Sequence, residues 1–237
     1  MNLLILRRED FTADDTACVS DYRADHLRNI HRLEPGDTVR AGILNGEMGE
    51  AVVLSIDSTA ATLRFQSQQP PPPALPLTLV LALPRPQMLK RSLQTVASLG
   101  VKEIYLIQSE RVEKSFWSSP VLQEQQLTEH LLLGLEQGVD TILPTIHFRQ
   151  RFRPFVTDEL PKLIAGKQAW LAHPGDYPPC PERCLEPSVL VIGPEGGFVS
   201  HEVTAFTEAG CQPMQLGPRI LRVEVAIPML LSRFYPY

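Results

Sequence analysis

The sequence is poor in cysteine and offers no complete metal motif. Its 237 residues include four cysteines, too few and too scattered for a disulfide framework. Cys180 and Cys184 have the spacing of half a metal site, but no second Cys/His pair follows at metal spacing. Because a structural zinc site needs about four ligands, we expect free thiols and no metal.

Long apolar runs are also missing. No run approaches the roughly 20 residues that span a bilayer. The start, MNLLILRRED, has too short an apolar stretch for a secretory signal and lacks a cleavage site. We therefore expect a soluble cytoplasmic protein with no membrane partner.

Basic residues are fewer than acidic ones. Lys and Arg number 22 against 27 Asp and Glu, a formal net charge of −5. An acidic chain is not expected to coat nucleic acid nonspecifically. A local basic site remains compatible with this charge, because phosphate binding depends on where Lys and Arg lie.

Four consecutive prolines, Pro70–Pro73, mark the clearest break in the chain. Such a run favours a stiff, extended spacer over a helix or a central strand. We predict a linker at 70–76. Before it, residues 1–69 have a β-like pattern with Asn45-Gly46 as the strongest hairpin signal, which predicts a small β-barrel.

After the linker, residues 77–237 alternate between apolar strands and helical patterns. The predicted strands are LTLVLALP, EIYLIQ, QAWLAH, SVLVIG and PMQLG. The predicted helices are MLKRSLQTVASLG, VLQEQQLTEHLLLGLEQG, HEVTAFTEAG and part of the C-terminal stretch. This alternation predicts an α/β domain with a parallel sheet covered on both faces.

The segment VLVIGPEGGFVSHEV, residues 189–203, carries the sharpest local signal. A buried strand runs into a glycine-rich turn, where a ligand can approach the backbone. Ser200 is the predicted N-cap of the next helix, and Glu202 suits its positive end. The turn lacks the Gly-Lys-Ser/Thr of a phosphate loop and the dinucleotide pattern, and alone it is equally compatible with a turn that binds nothing.

A second segment, QLGPRILRVEVA, spans residues 215–226. Leu216-Gly217 is predicted to close a strand, and Arg219, Arg222 and Glu224 then crowd a short stretch. Alone, this pattern is also typical of a surface ion-pair patch.

Together the two segments resemble the paired C-terminal motifs of the 16S ribosomal RNA uridine N3-methyltransferases, within the SPOUT superfamily. HLRNIHRLEPGDTVRAGILNGEMGEAVV is similar to the PUA-like barrel of that family. Further matches are LGV at 99–101, SER at 109–111, EQ at 136–137 and Pro144. The resemblance covers nearly the whole chain.

The resemblance implies an S-adenosylmethionine-dependent enzyme with a trefoil-knotted α/β domain, working as a homodimer on ribosomal RNA or the small ribosomal subunit. It implies a cofactor pocket formed by Gly193, Pro194, Glu195, Gly196, Gly197, Leu216, Gly217, Ile220 and Leu221. It further implies that Arg222 stabilises a deprotonated uridine, and that Glu224 orients Arg222 or assists proton removal.

The sequence also departs from the family pattern. Val223 and Val225 replace two threonines, TVASLG lacks the usual charged pair, and Glu136-Gln137-Gly138 is followed by Val-Asp where an arginine is usual. Pro228 is predicted to move the start of the final helix to about that residue. The fold is therefore expected to be kept while the RNA-facing and catalytic details have changed.

Candidate RNA contacts lie in two places. In the barrel they are Arg23, His26, Arg28 and Arg32, with His31 nearby, although both histidines are also compatible with a structural role. In HFRQRFR, residues 147–153, a strand would place Arg149, Arg151 and Arg153 on one face, and a solvated sheet edge is the alternative.

Three other functions remain open. A paralogue would methylate a different RNA base. A second alternative is a protein that binds RNA and cofactor without catalysis. The third is a nucleotide-binding enzyme of another α/β class, which the missing phosphate-loop residues disfavour.

Overall fold

The protein forms two compact units. The computed structural model describes residues 1–236, so Tyr237, the last residue of the predicted domain 77–237, lies outside the described residues. One unit joins residues 1–73 with 132–143, and the other joins residues 74–131 with the chain from Pro144 onward. The predicted division into 1–69, 70–76 and 77–237 therefore needs correction, because residues 132–143 group with the first unit.

Hydrogen bonds to one glutamate explain why this segment belongs to the first unit. The main-chain N–H groups of Asn2 and Leu3 both donate to the Glu136 carbonyl oxygen, at 3.1 Å. The Tyr22 hydroxyl donates to Glu136 Oε1 at 2.7 Å. These bonds satisfy a residue that is only 4% exposed.

The first unit contains a mixed sheet. Its strands are β1 (Leu4–Leu6), β2 (Phe11–Ala13), β3 (Thr16–Val19), β4 (Thr38–Ile43), β5 (Met48–Ile56) and β6 (Ala61–Gln69). They lie in the order β1-β4-β5-β6-β3-β2, with β1 parallel to β4 and the other pairs antiparallel. Apolar side chains such as Ala51, Val53, Leu63 and Phe65 alternate along β5 and β6 and form the core.

The predicted Asn-Gly hairpin is confirmed. β4 and β5 pair antiparallel up to Gly42 opposite Met48, and the loop between them contains Asn45 and Gly46. Asn45 adopts a left-handed conformation with φ of 58°, which asparagine tolerates better than most residues.

A helix lies within the stretch predicted to be β-like, so that prediction is wrong there. Helix α1 (Tyr22–His26) continues as a π-helical turn over Leu27–His31. The Asp21 side chain caps it by accepting the Arg23 N–H at 3.0 Å, and burial of Leu27 fixes one face.

The second unit is built on a parallel sheet. Its strands are β7 (Leu77–Ala82), β8 (Glu103–Ile107), β9 (Thr145–Arg149), β10 (Gln168–Ala172), β11 (Ser188–Ile192) and β12 (Gln212–Met214). They lie in the order β12-β10-β11-β7-β8-β9, and every pairing is parallel. Every residue of β7 and β11 is buried, as expected for central strands covered on both faces.

The remaining helices follow the strands. They are α2 (Pro86–Ser98), α3 (Glu124–Gly138), α4 (Phe152–Pro154), α5 (Leu160–Ile164), α6 (Ser200–Glu208) and α7 (Val223–Phe234). A π-helical turn over Phe155–Glu159 joins α4 to α5. Helix α2 packs against α7, and Gly100, with φ of 83°, follows α2 as predicted. Within residues 1–236, no helix has the length and apolar character needed to cross a bilayer.

Two local predictions in this unit are wrong. Strand β9 ends at Arg149, Arg151 is the N-cap of α4, and Arg153 lies within that helix, so the three arginines do not share a strand face. Pro228 lies inside α7, which begins five residues earlier at Val223. The proline is accommodated within the helix and does not start it.

Candidate functional site

Both motif segments line one cavity at the carboxyl ends of β10, β11 and β12. Its volume is about 330 Å³. All nine predicted pocket residues line it: Gly193, Pro194, Glu195, Gly196, Gly197, Leu216, Gly217, Ile220 and Leu221. The parallel order places the ends of these strands side by side, where α/β sheets bind ligands.

The turn after β11 is shaped by the absence of side chains. A Cβ on Gly193 would lie 3.2 Å from the Phe198 nitrogen and from its ring. Gly197 has φ of 70°, a conformation that L-residues rarely adopt, and its N–H donates to the Pro194 carbonyl at 2.8 Å. The turn therefore presents backbone to the cavity.

The second wall begins beyond β12. That strand ends at Met214, so Leu216 and Gly217 lie past the strand that they were predicted to close. Gly217 turns the chain with φ of 117°. Ile220 follows and is 81% exposed although it lines the cavity.

Hydrogen bonds that involve side chains connect the glycine turn and the start of α6 to the loops after β7 and β8. Glu195 Oε1 accepts the Arg85 N–H, from the loop after β7, at 3.1 Å. The Arg111 guanidinium, from the loop after β8, donates to the Gly196 carbonyl. Glu202 Oε1 accepts the Glu110 N–H at 2.8 Å, and its Oε2 accepts the Val199 N–H at 3.1 Å. Val199, and not the predicted Ser200, is the N-cap of α6.

Arg111 and His173 line the cavity although they were not predicted as site residues. Arg111 ends the SER match, which was the available signal. His173 directly follows β10, and its N–H donates to the Met214 carbonyl at 2.9 Å. Burial, with a smaller contribution from Arg111, lowers the His173 pKa below its ordinary value, which favours a neutral imidazole.

The two predicted catalytic residues stand apart from this lining. Within the described part of the chain, the cavity lining includes neither Arg222 nor Glu224. The Arg222 side chain is 81% exposed, and one of its terminal nitrogens lies 4.0 Å from Glu224 Oε1. Glu224 is 14% exposed, but at 4.0 Å its pair with the exposed Arg222 contributes little to stability. Arg222 is therefore available to a ligand from outside the cavity, one residue beyond Leu221.

Arg23 is a structural residue, so its predicted RNA contact is contradicted. It is 3% exposed, and its terminal nitrogens donate to both Asp10 carboxylate oxygens, at 2.6 and 2.8 Å. A third bond reaches the Ile5 carbonyl at 2.6 Å. A buried arginine with its donors committed in this way cannot reach a phosphate.

The other predicted RNA residues lie near the surface. His26 Nε2 is 3.1 Å from the Met1 amino nitrogen, and its ring centroid is 5.0 Å from that of His31. Arg28 donates to the Asp57 carbonyl at 2.6 Å. Arg32 is exposed and left-handed, with φ of 54°. Of the four predicted contacts, His26, Arg28 and Arg32 remain predictions.

Known proteins resemble this chain along most of its length. A sequence profile of the RNA methyltransferase domain matches residues 71–235. The ribosomal RNA small subunit methyltransferase E of Treponema pallidum is 30% identical over 239 residues, covering 95% of this chain and 87% of that protein. The chain belongs to this family of RNA methyltransferases. The family predicted from the two motifs is confirmed.

Other members of the family agree in sequence and fold. Ribosomal RNA small subunit methyltransferase E 1 of Borreliella burgdorferi is 24% identical, over 95% of this chain and 94% of that protein. The solved Neisseria gonorrhoeae ribosomal RNA small subunit methyltransferase E, bound to S-adenosyl methionine, superposes with a TM-score of 0.76 at 22% identity. That superposition covers 98% of this chain and 94% of the other. It confirms the α/β fold with a parallel sheet.

The side chains of His, Cys, Asp and Glu are the usual metal ligands in proteins. Across residues 1–236, the structure contains no group of three or more of them placed to hold a metal ion. Cys180 and Cys184 are both free and buried.

Proposed function

We propose that this protein transfers a methyl group from S-adenosylmethionine to N3 of a uridine in 16S ribosomal RNA. The observation that carries the proposal is that residues of both family motifs line the same cavity. Relatives named as methyltransferases of small-subunit ribosomal RNA give the substrate class.

The residues of the cavity fit S-adenosylmethionine. Apolar side chains such as Ile192, Phe198 and Leu230 offer packing for an adenosine, and the glycine turn offers main-chain groups at close range. When bound, the cofactor supplies an electrophilic methyl group on a positively charged sulfur. The protein must align that methyl with the acceptor nitrogen, and alignment supplies much of the acceleration.

The chemistry of uridine N3 assigns roles to Arg222 and Glu224. N3 carries a proton on the base-pairing edge, so the uridine must be unpaired or flipped out before reaction. An Arg222 that is exposed beside the cavity would stabilise the uridine as its N3 proton leaves. Glu224, which is 14% exposed beside it, orients Arg222 or assists proton removal.

The family likeness also supports an assembly for this activity. We assign the first unit as a PUA-like barrel that contacts RNA through His26, Arg28 and Arg32, and the second unit as a trefoil-knotted domain. Val225 and Met229, one turn apart on α7, are each 42% exposed. Side chains at this spacing are neighbours on one helix face, and we propose that they form part of an apolar surface that packs in a homodimer.

The function is tested on small ribosomal subunits that lack the modification. Protein and labelled S-adenosylmethionine are added, and the ribosomal RNA is digested to nucleosides for mass spectrometry. We expect 3-methyluridine. A different methylated base would instead identify a paralogue with another target. Binding of S-adenosylmethionine without methyl transfer to any RNA would identify the non-catalytic alternative, and binding of ATP or NAD in its place would overturn the proposal.

The catalytic role of Arg222 has its own test. Arg222→Ala should keep S-adenosylmethionine affinity within a few-fold and lower the single-turnover rate by roughly 10²–10³, the usual effect of losing one preorganised donor. Arg233→Ala is the matched control, because Arg233 is a second arginine of this C-terminal stretch in an exposed ion pair, with Glu182 at 3.0 Å. A wild-type single-turnover rate in Arg222→Ala at saturating cofactor would remove the catalytic role.

A further inference from the structure

Glu202 is a buried acidic side chain without an assigned function. It lies in the first turn of α6 and is 1% exposed. Burying a carboxylate is unfavourable unless hydrogen bonds replace its water. Here each oxygen accepts one main-chain N–H, Oε1 from Glu110 and Oε2 from Val199.

Helix capping explains half of this arrangement. The bond from the Val199 N–H to Oε2 is the ordinary return bond of a glutamate in the first helical turn. The bond from Glu110 is different, because Glu110 lies 92 residues earlier, in the loop after β8. One carboxylate therefore joins the loop after β8 to the start of α6, immediately after the glycine turn.

Arg111, the residue after Glu110, connects this loop to the cavity. Arg111 lines the cavity and donates to the Gly196 carbonyl. Its stem also covers Gly196, where a Cβ would lie only 3.0 Å from Arg111 Cδ. The main chain of the loop is held at Glu110, and the neighbouring side chain reaches the glycine turn.

We infer that Glu202 is a positioning residue for the cofactor cavity: by fixing the loop after β8 it holds Arg111 against the glycine turn. Arg111 then completes one wall and keeps a single arrangement of the Gly196 carbonyl. This inference rests on the proposed function, since it concerns the affinity of that cavity for S-adenosylmethionine.

The test is a double-mutant cycle in the full-length protein. Affinity for S-adenosylmethionine and for S-adenosylhomocysteine is measured by calorimetry for wild type, Glu202→Gln, Arg111→Ala and the double variant. The glutamine introduced by Glu202→Gln keeps the shape of the side chain but turns an amide N–H₂ toward a main-chain donor, so one bond is lost. Each single variant should bind about tenfold more weakly, the effect of one hydrogen bond to a charged group.

The double variant distinguishes a positioning role from a purely structural one. If Glu202 acts through Arg111, the double variant should bind within about twofold of the weaker single variant, because coupled residues are not additive. Hydrogen exchange at the Glu110 amide should also quicken in Glu202→Gln. The control is Glu208→Gln, a change of an exposed glutamate at the other end of α6. It should alter neither the affinity for the two ligands nor hydrogen exchange at the Glu110 amide.

Three outcomes would overturn the inference. A Glu202→Gln variant that melts at a lower temperature yet binds with wild-type affinity below it would leave Glu202 as a helix cap alone. Fully additive losses would show that the two residues act separately. Unchanged affinity in Arg111→Ala would overturn it even where Glu202→Gln does not fold. A wild-type protein that binds neither ligand would contradict the proposed function itself.

Discussion

Gly196 and Gly197 are adjacent in the glycine turn but are constrained by different things. Gly197 has φ of 70°, so any side chain there strains the backbone, although a Cβ would meet only His173 Cε1 at 3.7 Å. Gly196 does not have a positive φ, and its constraint is the Arg111 stem at 3.0 Å. Substitution at Gly197 therefore tests backbone conformation, and substitution at Gly196 tests contact with Arg111.

Gly197→Ala should reduce both stability and cofactor affinity. A left-handed conformation costs an alanine about 1 kcal/mol of unfolding free energy, measured by urea denaturation. The matched control is Gly166→Ala, since Gly166 has φ of 71° with nothing within 4 Å of its Cβ position and lies outside the cavity lining of the described residues. Both variants should lose similar stability, and Gly197→Ala alone should bind S-adenosylmethionine about tenfold more weakly. If calorimetry gave Gly197→Ala and Gly166→Ala equal affinities for S-adenosylmethionine, this account of the turn would be contradicted.

Glu136 should make the stability of the protein depend on pH. Burial raises its pKa above the ordinary value, so the folded chain holds this proton more tightly than the unfolded chain does. The resulting stabilisation is complete below the unfolded pKa, near 4.5, and is lost as the pH rises through the higher folded value.

Glu136→Gln removes this titration and leaves an oxygen that accepts the Tyr22 hydroxyl. Relative to wild type, the variant should gain unfolding free energy between about pH 4 and pH 8, as followed by urea denaturation across that range. Glu9→Gln, at an exposed carboxylate of the same unit, controls for the lost charge. A constant difference between Glu136→Gln and wild type across the pH range would show that Glu136 does not titrate differently on folding.

At the level of elements, the sequence predicts the central strands of the second sheet well because they are buried on both faces, whereas the partly exposed edge strand β9 is not among the predicted strands. β7 and β11 appear in the sequence as unbroken apolar runs, and the parallel arrangement follows from the helices between them. The first unit is less predictable. Helix α1 and its π-helical turn depend on the Asp21 cap, which is a local contact, and on burial of Leu27, which comes from tertiary packing.

The same distinction applies to the candidate site. The nine predicted pocket residues come from two contiguous segments, so their local pattern and the family likeness were sufficient to find them. Arg111 and His173 follow other strands, β8 and β10. Their approach to the glycine turn depends on the strand order β10-β11-β7-β8, which no local pattern contains.

Pro228 should weaken helix α7 from within. Its nitrogen carries no hydrogen, so the Glu224 carbonyl has no main-chain donor at the usual spacing. Pro228→Ala restores that donor and should raise the unfolding free energy by roughly 1 kcal/mol, less than the full helical penalty because alanine also frees the unfolded chain. Ala226→Pro is the opposite change, because it removes an N–H that donates to the Arg222 carbonyl at 2.8 Å, and should lower the unfolding free energy. A destabilised Pro228→Ala would indicate that the contacts of the proline ring outweigh the missing hydrogen bond.

At the level of the whole molecule, residues 132–143 group with the first unit. This grouping changes what is expected of a chain that lacks residues 1–73. Every residue that lines the cavity lies in residues 74–131 or after Pro144. Removing residues 1–73 nevertheless takes away Tyr22 and the two N–H donors that hold Glu136. The second unit can therefore keep its site while residues 132–143 lose their partners in residues 1–73.

A chain of residues 74–237 should retain S-adenosylmethionine affinity within a few-fold of the full-length protein and lose most of its affinity for ribosomal RNA. Hydrogen exchange should become fast at residues 132–143, because their partners are gone, and stay slow in β7 and β11. Full-length Tyr22→Phe is the matched control: it removes only the bond to Glu136 Oε1 and should bind RNA as wild type does. Loss of cofactor affinity in the shortened chain would show that the cavity depends on the first unit. RNA affinity equal to that of the full-length protein would show that the RNA contacts lie in the second.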